Sequence, residues 1–124
     1  MILGIGTDLL DVARMARELE QVGGGFRDAV FTPAEIDACA ARRYPARHFA
    51  ARFAAKEALL KALGGEVTAG SFREVEVVAG EAGAPRLLLH GLVQEAATRR
   101  GVRNVLVSLT HTPALASASV VLEG

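Results

Sequence analysis

The chain has 124 residues, 51% of them hydrophobic, enough for a single domain over 1–124 with one core and no need of disulfides or a structural metal. Fourteen basic and fourteen acidic side chains cancel, and five phenylalanines, one tyrosine and no tryptophan offer little base-stacking surface, so no nucleic-acid partner is expected. No apolar run nears the ~20 residues of a membrane span, so no membrane partner is expected either.

The start, Met1-Ile2-Leu3-Gly4, lacks a basic leader region, and the lone Cys39 reads as a buried inert thiol; both predict a cytoplasmic protein. Residues 2–6 read as a buried strand ending at Thr7-Asp8. Leu9 to about Gln21 has helical spacing, with Leu9, Val12, Ala13, Ala16 and Leu19 inward and Asp11, Arg14 and Glu18 outward. Gly23-Gly24-Gly25 breaks it. Thr32-Pro33-Ala34-Glu35 is a capping box with proline at the first helical position, predicting a helix near 33–43. After Pro45 a long helix is predicted at about 46–63, stopped by Gly64-Gly65. Val75 and Val77 alternate with Glu74 and Glu76 as a half-buried strand, residues 80–85 form a turn, and Arg86 to His90 a second strand. Leu92 to Arg100 is a short helix, and Val105 to Thr110 with Ala114 to Leu122 make a hairpin about Thr112-Pro113. Helices first and strands later predict an α+β fold, a mainly antiparallel sheet packed against a long central helix.

The long helix carries most of the chemistry. Its apolar stripe, Phe49, Phe53, Leu60 and Leu63, has a spacing that includes Lys56. Glu57 and Lys61 stand at i,i+4, which alone describes an ordinary surface ion pair worth roughly 0.3–0.5 kcal/mol. By spacing alone Arg52 and Lys56 also read first as a solvated edge whose stems cover the apolar stripe. The second reading is a carboxylate between two lysines and beside Arg52 that holds a metal ion and phosphates together. Asp8, at a strand end, reads as a helix cap or as a group facing a cleft. Gly4-Ile5-Gly6 is a weak phosphate-loop signal. His48, His90 and His111 lack metal-ligand spacing, but His111 lies among hydroxyls in Ser108-Leu109-Thr110-His111-Thr112, a setting suited to a phosphorylated ligand. No local nucleophile signature is present.

Three segments together resemble one family. Gly4-Ile5-Gly6-Thr7-Asp8 followed by Arg14 is similar to the first signature of the 4′-phosphopantetheinyl transferases, and Phe53-Ala54-Ala55-Lys56-Glu57-Ala58-Leu59-Leu60-Lys61-Ala62 to their second. Ser108 to Thr112, then Ala114 to Glu123, resembles the C-terminal segment of the small bacterial branch, the holo-acyl-carrier-protein synthases, as do Phe31-Thr32-Pro33 and Ala51-Arg52-Phe53.

The resemblance implies transfer of phosphopantetheine from coenzyme A, the co-substrate, to a serine of apo-acyl carrier protein for fatty acid biosynthesis. It further implies Mg²⁺ held by Asp8 and Glu57, and Lys61 acting on the phosphates as the third catalytic residue. The serine proton goes to Glu57 or to a water. Arg52, Lys56, Gly64, Pro85 and His111 would contact the coenzyme, Lys56 alternatively pairing with an acid across the fold. Arg14 and Arg17 would meet the acidic carrier, although without the family they read as solvated arginines near Asp11 and Glu18. The branch is homotrimeric, and Ala114 to Leu122 is the expected interface strand. Three departures touch the adenosine end: Ala84 where relatives carry lysine, the altered stretch Gly64-Gly65-Glu66-Val67-Thr68, and Leu106 in place of a histidine. The competing readings are another coenzyme A enzyme, such as an acyltransferase, and a non-catalytic oligomeric module.

Overall fold

The structure, a computed structural model, describes residues 1–65, 67 and 69–124. Glu66 and Thr68, in the altered stretch after the long helix, lie outside the described residues. In chain order come β1 (Ile2–Asp11), α1 (Val12–Leu19), α2 (Gly25–Val30), α3 (Pro33–Ala40), α4 (Pro45–Ala62), β2 (Val75–Ala79), β3 (Pro85–Leu89), α5 (Gly91–Arg99), β4 (Asn104–His111) and β5 (Leu115–Glu123). The strands form two antiparallel sheets, one ordered β1-β5-β4 and the other the β2–β3 hairpin. This is the α+β class that the element pattern predicts.

Alanine and leucine make α4 a strong helix, Pro45 starts it, and Gly64, at φ +74°, follows its end. Its alanines Ala54, Ala55, Ala58 and Ala62 let the inner sheet face, Ala118, Val120 and Leu122, approach closely. A Cβ on Gly4 or Gly6 would overlap the carbonyl oxygens of Ala62 and Ala58. The Gly-x-Gly of β1 is thus a packing device for strand on helix, not a phosphate loop. The five phenylalanines add a linked set of tilted and edge-on ring contacts, Phe49–Phe31–Phe26–Phe53–Phe72, across α2, α4 and the turn before β2.

Lys56 sits on the apolar stripe, as its spacing predicts, and is fully buried. Its ammonium donates to Glu35 Oε1 at 2.8 Å, Phe72 O at 3.0 Å and Val75 O at 2.6 Å. Glu35 is also the third residue of the observed capping box: Thr32 N donates to Oε1 at 2.9 Å, and Val77 N to Oε2 at 2.8 Å. Burial pushes the Lys56 pKa down, opposed by the charge and hydrogen bond of Glu35. One ion pair therefore ties α3, α4 and β2 together.

Several expectations change. β1 runs to Asp11 because Leu9, Leu10 and Asp11 pair with Ser117, Ala116 and Leu115 of β5, so the ladder overrides the helical spacing read from Leu9. Leu9 faces out, Ala13 is exposed, and Met15 takes the buried place in α1. The first-turn cap is Asp11, which accepts from Ala13 N, leaving Asp8 within the strand. α1 already ends at Leu19, ahead of the glycine run, and a short helix, α2, starts at Gly25 within that run. β5, the expected interface strand, is the central strand of its sheet. Its Ala116, Ala118, Val120 and Leu122 are core, so only its opposite face is open to another molecule. Cys39 is buried, as expected, and burial pushes its thiol up to about 11.

Breaking the buried pair from either side should be costly. Glu35→Gln or Lys56→Met should each lower the unfolding free energy by about 3–5 kcal/mol in urea titrations, since each leaves a charge without its partner. The double variant Lys56→Met/Glu35→Gln, which removes both charges and keeps an acceptor for Thr32 and Val77, should lose less than the two single losses added. Additive losses would show that the two residues do not act as a pair.

Candidate active site

Strand alternation places Asp8 on the inner face of β1, opposite buried Ala118 and toward α4. From α4, Lys61 reaches it: Lys61 Nζ donates to Asp8 Oδ1 at 3.0 Å and to Thr7 O at 3.0 Å. Helical spacing suggests Glu57 as the partner of Lys61, but the structure pairs Lys61 with Asp8, 53 positions away. Asp8 and Glu57 share an open cleft of about 280 Å³, walled by Phe26, Phe53, Met15 and Leu10 and bordered by Arg14 and Glu18. Burial and then the Asp8 charge raise the Glu57 pKa, with Lys61 opposing them. Two carboxylates are thus held together at a site that favours a cation between them.

Glu57 also lines a neighbouring hollow with Lys61 and Gly64, so these two clefts meet at one carboxylate. Arg14 is exposed at the mouth of the first cleft, and Arg17 is exposed in the last turn of α1. Glu18 is a cleft residue that the sequence reading treated only as an outward surface acid. Its spacing of four from Arg14 marked it as a neighbour but gave no sign of the cleft.

The remaining expected residues lie elsewhere. His111, exposed at the end of β4, packs its ring edge-on against His48, 5.0 Å between centroids. Arg52 is half-buried, its Nη1 3.5 Å from His48 O and its buried Nε without a hydrogen-bond partner among the described residues. Burial lowers the His48 pKa, and Arg42, His111, Arg52 and Arg47 lower it further. This is a cationic group whose unsatisfied guanidinium nitrogen suits an anion. His48 and Glu57 are nine residues apart on α4, or roughly 13 Å along its axis. Within one copy, the acidic cleft and the cationic group therefore occupy different stretches of the same helix. The sequence reading missed His48, Arg42 and Arg47, although His48 stands four residues before Arg52.

Two further expectations need relocating. Lys56 is not available to a phosphate: it is buried and all three of its donors are engaged, the cross-fold acid pairing allowed for it being the one found. Pro85 opens β3 in the separate hairpin and lines neither of the clefts at Glu57. Among the described residues no group of three or more His, Cys, Asp or Glu side chains is gathered, so a metal here would draw on two carboxylates and on oxygens from outside the chain. Among the same residues no helix is long and apolar enough to cross a membrane.

The family model for the 4′-phosphopantetheinyl transferase superfamily matches residues 4–116. The holo-[acyl-carrier-protein] synthase of Syntrophus aciditrophicus (strain SB) is 44% identical over 125 aligned positions, spanning 100% of this chain and 98% of that protein. The crystal structure of the Neisseria meningitidis holo-[acyl-carrier-protein] synthase superposes with a TM-score of 0.89 at 32% identity, covering 100% of both chains. A holo-(acyl-carrier-protein) synthase from Bacillus anthracis str. Ames, in complex with CoA (3′,5′-ADP), superposes with a TM-score of 0.80 at 30% identity, covering 98% of this chain and 96% of that one. A match this long, over a fold that brings the aspartate of the first signature to the lysine of the second, establishes that the chain belongs to the 4′-phosphopantetheinyl transferase superfamily.

Proposed function

We propose that this protein transfers 4′-phosphopantetheine from coenzyme A to a serine hydroxyl of apo-acyl carrier protein, in support of fatty acid biosynthesis. The serine oxygen gives up its proton to Glu57 or to a water and forms a bond to the pantetheine-side phosphorus, the pyrophosphate P–O bond breaks, and adenosine 3′,5′-bisphosphate leaves. The observation that carries this reading is the meeting of Asp8 and Glu57 in one cleft with Lys61 at its edge. The nucleophile arrives on the partner, which accounts for a chain with no nucleophile signature of its own.

Asp8 and Glu57 fit a hard divalent cation: both are oxygen donors, and a bound cation offsets the burial and the Asp8 charge that together raise the Glu57 pKa. Mg²⁺ held there would neutralise phosphate charge as a Lewis acid. Lys61, half exposed on a flexible stem, is placed to follow the charge that develops on the leaving phosphate. Gly64 lets backbone lie beside the ligand in the hollow that it shares with Lys61. Arg52 offers a cation and an N–H without a partner among the described residues to the coenzyme's phosphates, with the His48 and His111 rings beside it, and Pro85 is assigned to the adenosine end. Arg14 borders the cleft and Arg17 is exposed one turn further along α1, where an acidic carrier would dock as it brings its serine. The buried thiol of Cys39 suits a reducing cytoplasm.

We further propose a homotrimer, with the chain folding as one domain. The outer face of the β1-β5-β4 sheet exposes Ile5 (72%), Leu9 (64%), Leu106 (54%) and Leu115 (46%), an apolar surface that copies of the chain would cover. A boundary between copies would also bring the cationic group of one chain to the acidic cleft of another, completing a site that a single copy divides along α4.

Incubation with apo-carrier, coenzyme A and Mg²⁺, read by intact mass, tests the activity directly. A gain of the phosphopantetheine mass on the carrier is expected, and no gain overturns the reading. Asp8→Ala and Glu57→Gln should each slow turnover on the order of a thousandfold while thermal unfolding stays close to that of the parent. Near-normal turnover with unchanged Mg²⁺ dependence in either would remove that residue from the metal site. Arg14→Glu should raise the KM for carrier and alter its salt dependence, leaving the KM for coenzyme A unchanged. Lys61→Ala should lower kcat even at saturating carrier. A fall in kcat alone for Arg14→Glu would move that residue out of carrier docking. Ile5→Glu/Leu9→Glu should convert a trimer to a monomer in light scattering and lose activity with it; a fully active parent monomer at micromolar concentration would exclude the trimer.

A further inference from the structure

The Lys61–Asp8 contact bears on how the site is loaded. Lys61 spans from α4 to β1 to place its ammonium 3.0 Å from Asp8 Oδ1, held also by Thr7 O at 3.0 Å. The Asp8 side chain is largely buried, at 17% exposure, whereas that of Lys61 is 54% exposed and rooted on a mobile four-carbon stem. In the free protein the carboxylate that the proposed function gives to a divalent cation thus already has a positive charge upon it. An ammonium and a divalent cation compete for one carboxylate oxygen, because each raises the electrostatic cost of the other at contact distance.

We infer that Lys61 is an internal counter-ion of Asp8 that gives up the carboxylate when a divalent cation binds, and that it then turns to the phosphates. The inference rests on the assignment of Asp8 to a metal site. Lys61 in this view has two partners in sequence: Asp8 in the empty site and phosphate oxygen in the loaded one. Its contact with Asp8 neutralises a carboxylate that otherwise stands against Glu57 in the same cleft. Its departure weakens cation binding when no phosphate is present to receive it, and weakens it less when coenzyme A is bound. The cation and the coenzyme therefore favour each other's binding through one side chain, and the coupling is reciprocal.

The test is a titration of Mn²⁺, followed by its electron paramagnetic resonance signal, on the parent, Lys61→Ala, Lys61→Met and Asp8→Ala, with and without coenzyme A. Lys61→Met keeps most of the aliphatic stem, so a result common to both lysine variants reports the charge and not the packing. Without coenzyme A, both should bind Mn²⁺ about two- to fivefold more tightly than the parent, the range that a partly exposed ion pair supports. Coenzyme A should tighten Mn²⁺ binding less in both than it does in the parent. Equal or weaker Mn²⁺ binding by both, with binding by Asp8→Ala impaired, overturns the counter-ion role and leaves the metal site in place. Binding by Asp8→Ala equal to that of the parent overturns the metal assignment, and the inference with it.

Discussion

The buried Lys56–Glu35 pair is the constraint around which the rest is arranged. A lysine on the apolar stripe of α4 has to leave water, and it does so only because Glu35 and two backbone carbonyls receive it. The Glu35 carboxylate in turn accepts three hydrogen bonds, one each from the start of α3, from α4 and from β2. The pair sets where α4 lies relative to α3 and the hairpin, and Glu57 follows Lys56 directly in the chain. The residue that holds the helix and the residue that faces the cleft are adjacent, about 100° apart around the same axis. Rigidity on one side of α4 is thus passed to the chemistry on the other.

On that other side the close contact of helix and strand matters most. Gly4 and Gly6 let β1 lie directly on the Ala58 and Ala62 backbone, which brings Asp8 within reach of Lys61. A larger residue at either glycine would force β1 away from α4, and the span between them would have to grow. The cationic group around His48 draws on the same helix about two and a half turns earlier. A single long helix thus presents acidic chemistry at one stretch and cationic chemistry at another.

How far this was legible in the amino-acid sequence depends on the distance over which each interaction acts. The capping box at Thr32 and Glu35, the start of α4 at Pro45 and its stop at Gly64 were readable because each is decided within a few residues. The place of Lys56 on the apolar stripe was readable from spacing, but its burial was not. The same spacing also fits a solvated edge, and only Glu35, from another helix, decides between them. Leu9 and Leu10 were read as helix because their local pattern fits one, while the ladder with β5, more than a hundred residues later in the chain, made them strand. Leu9 consequently faces the open side of the sheet and not the core.

The sequence by itself determined the chemical inventory and the family: Asp8, Glu57 and Lys61 in two separated signatures, on a strand and a helix whose types are locally encoded. Only the tertiary structure decided who meets whom. It gave Lys61 to Asp8 instead of the i,i+4 neighbour Glu57, gave Lys56 to Glu35, and set His111 against His48. Helical spacing offers Glu57 to Lys61, but the contact from β1 wins because it brings two oxygens, Asp8 Oδ1 and Thr7 O, to the same ammonium. Such selections depend on the closeness of β1 to α4, which is a property of the packed core and not of any local stretch of chain.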